Sequence, residues 1–134
     1  STGFVDLTSS QTITGAKAFS LLSLTPSSGP TFAGTYHNYS APTSLLLMTP
    51  LGNVTFTGFN PVSTPNESRI LVIVNLALVT VTLMDYTDPG SLLTSDSTHR
   101  INTMSNNAPA STAGPGAFIL LKTAARWVVI ATKA

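Results

Sequence analysis

The chain has 134 residues, a net charge of +1, 8% charged residues and no cysteine. That length suits one domain able to bury its own core. Without cysteine neither a disulfide framework nor a thiolate metal site can form. The six Lys and Arg residues are scattered, so nothing tracks a phosphate backbone and nucleic acid is not an expected partner.

Charged residues usually fill about a quarter of a soluble chain. Here Ser and Thr take that place, with Thr in excess. Thr is β-branched and suits a pleated, half-wet surface. Low charge with a mean hydropathy of +0.30 works against solubility. It fits a protein packed against identical copies or a large shell, or a neutral monomer with a Thr-rich surface.

In chain order, Gln11-Thr12-Ile13-Thr14 alternates as a short strand closed by Gly15, and Ala16–Leu22 could form a short helix. Breakers follow from Pro26 to Pro30. Tyr36-His37-Asn38-Tyr39 has the composition of a loop that contacts a sugar or protein. In such loops tyrosine supplies rigid area and asparagine adaptable hydrogen bonds; a packed loop anchor would use the same residues. Pro42 and Pro50 punctuate the next stretch. Asn53-Val54-Thr55-Phe56-Thr57 alternates cleanly.

Arg69–Met84 is the longest apolar run. It is shorter than the ~20 residues of a membrane-spanning helix, and a single strand of that length would reach about 50 Å. Two strands bent near Asn75–Leu78 are expected. The first is apolar at both parities, as fits one face on the core and the other on a neighbouring subunit, or a central strand within a single-chain sandwich. Asp85-Tyr86-Thr87-Asp88-Pro89-Gly90 reads as a turn ending a strand. His99 is placed at an exposed strand edge, and Asn106–Gly116 reads as a contact loop or a floppy connector. Ala117–Leu121 and Trp127–Ile130 are strands covered on both faces, with Trp127 in the core and Arg126 over it.

Pro and Gly recur every ten or so residues, the spacing of an all-β sandwich or barrel. The expected fold is an antiparallel β-sandwich or jelly-roll-like module over residues 24–134, with an extended N-terminal arm over residues 1–23. No internal repeat is apparent.

The residues offer little chemistry. There is no Gly-x-Ser-x-Gly elbow, and Asp85 with Asp88 is better explained by the turn than by a glycosidase acid pair. His37 and His99 lack metal-ligand spacing, and no Ca²⁺ loop pattern is present. No cationic start followed by an apolar run marks a signal peptide. Three Asn-x-Ser/Thr sequons are what this composition produces by chance. No enzyme activity, cofactor, metal or membrane partner is expected.

Two segments carry a resemblance. Asp6-Leu7-Thr8, Gln11-Thr12-Ile13, Gly15, Lys17 and Phe19 together resemble a segment that recurs in bacteriophage fibre and other virion-surface proteins. A looser pattern is similar to small β modules on phage fibres and capsid-bound accessory proteins. It runs through Arg69-Ile70-Leu71, Asn75, Val81-Thr82-Leu83, Arg100-Ile101, Gly116–Leu121 and Arg126-Trp127. The resemblance implies a homotrimer on the virion surface and no catalytic residues. It implies two expectations of function: a capsid decoration or cement protein bound to the major capsid protein or another virion protein, or a tail-fibre tip that binds a host surface glycan or protein. Taken as a whole protein, 134 residues leave no room for a shaft and an anchor, which favours the capsid. Taken as a piece, a fibre tip is favoured. Phe4, Val5, Leu7, Ile13 and Phe19 are the expected docking or trimer-linking residues of the arm. Tyr36, His37, Asn38 and Tyr39 are the expected receptor or partner loop.

Overall fold

The computed structural model describes residues 23–61 and 68–134. The fibre-like segment, with Phe4, Val5, Leu7, Ile13 and Phe19, and the Ala16–Leu22 helix expectation lie outside the described residues.

The described chain is almost all β. Its elements are β1 (Pro26–Ser28), β2 (Gly34–Tyr36), β3 (Leu45–Met48), β4 (Val54–Phe56), β5 (Ile70–Asn75), β6 (Val81–Leu83), α1 (Pro89–Thr94), β7 (Ile101–Asn102), β8 (Ala110–Thr112), β9 (Gly116–Lys122) and β10 (Trp127–Lys133). One sheet has six strands in the order β1-β3-β5-β9-β10-β7, the other four in the order β2-β4-β6-β8. Buried side chains from both, among them Leu46, Ile73, Phe118 and Trp127 from the first and Val54, Phe56 and Leu83 from the second, form one hydrophobic cluster.

The expected antiparallel pairing is corrected. Five of the eight strand pairings are parallel and three are antiparallel. From β1 to β6 the chain passes from one sheet to the other and back, so β1, β3 and β5 stack in parallel, as do β2, β4 and β6. These are three successive coils. Breaker spacing sets strand length but not which strand comes alongside, so a coil and a sandwich have the same punctuation.

The coils also carry a repeat. Thr35-Tyr36 pairs in register with Thr55-Phe56, and Thr55-Phe56 with Thr82-Leu83. Three residues on, Tyr39 bridges Phe59, and Tyr86 holds the matching place in the third coil. The pattern is Thr, a large apolar residue, two variable residues and an aromatic one. Its interval is 20 residues from Thr35 to Thr55 but 27 from Thr55 to Thr82. The unequal spacing hides the repeat from a search at fixed period.

The bend expected in the long apolar run is present: β5 ends at Asn75 and β6 begins at Val81. The buried Asn75 amide makes that turn. Its Nδ2 donates to the carbonyls of Val79 (2.8 Å) and Gly114 (2.9 Å) and to Thr112 Oγ1 (3.3 Å), and its Oδ1 accepts from the Ala77 N–H (3.0 Å). The expected turn is present over Asp85–Asp88, with the Asp88 N–H donating to the Asp85 carbonyl at 3.0 Å, and the chain continues into a short helix, α1, over Pro89–Thr94. Asp88 is its N-cap, accepting from the Gly90 N–H at 2.8 Å, with Pro89 as first helical residue. Both choices are intrinsically favourable.

Candidate interaction surface

The Tyr36–Tyr39 segment is built into the protein. The Tyr36 and Tyr39 rings lie 6.1 Å apart, and each packs on Phe56, at 6.1 and 5.3 Å. Phe56 stacks at 4.8 Å on Phe59, which meets Trp127 edge-on. The Tyr36 hydroxyl donates to the Phe32 carbonyl. Burial, then the neighbouring Tyr36, pushes the Tyr39 hydroxyl pKa up. Asn38 adopts a left-handed backbone at φ 49°. Its Oδ1 accepts from the Asp96 N–H (2.9 Å) and lies 2.8 Å from His99 Nδ1. Asn38 therefore ties the second coil-forming strand to the segment after α1. His37 is the exposed member of the four, and its Nδ1 lies 2.6 Å from Thr57 Oγ1.

The other singled-out residues also have internal duties. His99 is largely buried against Asn38 instead of standing at an exposed edge, and burial lowers its pKa. Asp96 works in the opposite sense and Lys122 in the same sense. Asp85 is buried. Burial raises its carboxyl pKa, but hydrogen bonds from the side chains and backbone N–H groups of Thr87 and Thr103 outweigh this and hold it below the usual range. Asp85 and Asp88 thus serve a strand junction and a helix cap. Trp127 is core, with Nε1 donating to the Phe59 carbonyl at 2.8 Å. Arg126 stacks over the Tyr86 ring at 3.9 Å. Among the described residues no three His, Asp or Glu groups converge as a metal site, and no helix is long and apolar enough to cross a membrane.

The Asn106–Gly116 loop is corrected in part: it contains β8, paired with β6. Met104–Pro109 is exposed throughout, with left-handed backbone at Met104, Asn106 and Asn107. A groove of about 530 Å³ separates this loop and β8 from Val129–Thr132 of β10, and its lining is uncharged.

The two outer sheet faces differ in chemistry. On the four-stranded sheet, Thr35, Thr55, Thr82 and Ser111 stand in one row across β2, β4, β6 and β8. Hydroxyls face outward there, as on a wetted sheet. On the six-stranded sheet the outward residues form three rows. The first is Ile70, Leu121, Val128 and Asn102; the second is Pro26, Leu45, Val72, Ile119 and Ala131; the third is Ser28, Leu47, Val74, Ala117 and Lys133. All are half-buried or exposed, whereas the alternate residues of β3, β5 and β9 are buried. Polar groups occur only at row ends. Ile70 is 49% exposed and Ile119 36%. The sequence marks these strands as apolar at both parities. It does not mark that they lie side by side, because their register comes from the parallel coil for β1, β3 and β5 and from antiparallel pairing for β9 and β10.

No protein family, curated protein or solved structure matches this chain.

Proposed function

We propose that this chain is a non-enzymatic structural protein of a bacteriophage virion surface, a homotrimer that decorates or cements the head. The observation that carries this reading is the contrast between the two outer sheet faces. A hydroxyl row suits water, whereas an apolar lattice with polar ends suits burial against protein. The fibre-like segment Asp6–Phe19 supplies the virion context by resemblance. In this reading the arm, through Phe4, Val5, Leu7, Ile13 and Phe19, docks on the major capsid protein or links the trimer. Three copies of an interface would bind with avidity beyond any single contact. The two-sheet coil is a compact, sandwich-like body for that arm.

The test is deletion of residues 1–19, followed by measurement of capsid occupancy and imaging of the particle. Loss of occupancy is expected; unchanged binding would remove the arm from this role. A second reading, a tail-fibre tip that binds a host glycan or protein, is favoured by the exposed Met104–Pro109 loop beside its uncharged groove. Binding of the purified protein to host cells, reduced by substitutions in that loop, would select it.

A further inference from the structure

We infer that the groove between β8 and β10 receives the arm of a neighbouring copy, with residues 11–14 pairing along the free edge of β8 and Ile13 entering the groove. The assignment rests on the homotrimeric reading above and names how the arm links the trimer.

Six strands lie over four, and at the β8 end the smaller sheet falls short of the larger one. Among the described residues β8 pairs with β6 alone. Its other edge therefore offers unpaired N–H and C=O groups to a further strand. Across the groove, the inner face of β10 is bare. Thr132 pairs in register with Phe118 and shares its sheet face. Phe118 is fully buried, yet Thr132 is exposed. The groove has buried Ala110 and Val129 in its lining, and on its two sides Met104 is 68% exposed and Ile130 57%. The lining holds no charge, aromatic ring or side-chain amide. Apolar contact and strand pairing are its means of binding, and a fifth strand with one apolar side chain turned inward uses both.

The arm carries a sequence of that kind. Gln11-Thr12-Ile13-Thr14 has the alternation of β4 and β6, where Thr55 and Thr82 face out while Val54, Phe56 and Leu83 face in. Set beside β8, it turns Ile13 onto Val129 and Thr132. A threonine on its other face then continues the hydroxyl row of Thr35, Thr55, Thr82 and Ser111. Residues 7–16 are uncharged, as the groove is, so insertion buries no ion.

The topology favours a second copy as the source of the arm. The arm joins the described chain at Ser23, next to β1, at one end of the coil stack, and the groove is at the other end. From β1 to β7 the six-stranded sheet is about 24 Å wide. The linker from Thr14 to Ser23 reaches about 30 Å at full stretch, so an arm serving its own groove would run taut across a sheet. Insertion into the next copy is head-to-tail. Contacts of that type close into rings instead of twofold pairs, as a trimer requires.

The chain has no cysteine, so introduced pairs report contact without background. The full chain with Ile13→Cys and Thr132→Cys is oxidised at micromolar concentration and separated under non-reducing, denaturing conditions. Two cysteines bridge only when their Cα atoms come within about 7 Å. Covalent dimers and trimers are expected, and none for the control pair Ile13→Cys and Thr55→Cys. In sedimentation the wild type is expected as a trimer that becomes a monomer when residues 1–19 are deleted. Ile13→Ser is expected to weaken association at least about tenfold. Circular dichroism checks sheet content. Should the Thr132→Cys variant fail to fold, Met104→Cys on the opposite side of the groove replaces it, with the same covalent oligomers expected. Trimers that survive the deletion, no bridge on either side of the groove, or equal bridging at Thr55 overturn the assignment and leave the homotrimeric reading standing. A bridge confined to single chains overturns exchange between copies. A monomeric wild type overturns the homotrimeric reading itself.

Discussion

Asn75 shows how one buried amide can organise a fold. It ends β5, turns the chain toward β6 and holds the Gly114 carbonyl of the segment leading into β9. Every polar atom of the side chain has a partner within the turn or across it, so truncation orphans two carbonyls and one N–H. Asn75→Ala is expected to cost about 2–4 kcal/mol, measured by chemical denaturation; a loss under about 1 kcal/mol would show that water replaces the amide. His99 gives a pH signature. Burial, partly offset by Asp96 and reinforced by Lys122, sets its folded pKa below the ordinary 6.5. As pH falls through 6.5 the unfolded chain takes up the proton before the folded one, so stability declines from there until the folded pKa is passed, then levels. Above 6.5 the group is neutral in both states and contributes no slope. Melting temperatures between pH 7.5 and 5.5 should therefore fall less in His99→Gln than in the wild type. An equal fall in both would assign the slope to other groups.

At the scale of elements, β9 and β10 are the longest strands, and they close the coil stack by antiparallel pairing. Gly116 opens β9 where backbones crowd. A Cβ there would lie 2.3 Å from the Lys133 carbonyl oxygen and 2.7 Å from Thr112 Cγ2. Gly116→Ala is expected to push the end of β10 away and cost about 1–3 kcal/mol, with faster amide exchange at Thr132 and Lys133 as the local readout. Such close approach is invisible in sequence, where Gly116 reads as the start of an apolar strand. Strand content, the bend at Asn75–Leu78 and the buried Trp127 were legible because each rests on local pattern. Parallel stacking was not, since it depends on return legs of unequal length, and the longer return contains residues 62–67 outside the described set. Asp88-Pro89 was open to two readings, because a turn and a helix start use the same residues. The Tyr36–Tyr39 loop was open to two readings in a similar way. Its aromatic and amide content fits a ligand contact or a packed loop anchor, and Asn38 and both tyrosines bind their own protein.

For the molecule as a whole, the coil stack is unequal from end to end. β1 and β2 are three residues each, mostly exposed, and among the described residues each pairs with one neighbour at the outer edge of its sheet. β5 and β9 lie in the middle of the six-stranded sheet, paired on both sides, with Leu71, Ile73, Phe118 and Leu120 fully buried. In a stack of this kind each coil is stabilised by its neighbours, so the end coil opens first. Amides of Ser27–Gly29 and Thr35–Tyr36 are therefore expected to exchange at least about a hundredfold faster than those of Leu71–Ile73 and Phe118–Leu120. The measurement also bears on partners. An edge coil left bare must exchange fast, whereas one covered by another chain must slow to the rate of the sheet centre. Exchange in the free protein and again on capsids separates these conditions. Slow exchange at β1 and β2 in the free protein would mean that this edge is already occupied and that the gradient drawn from burial and pairing is wrong.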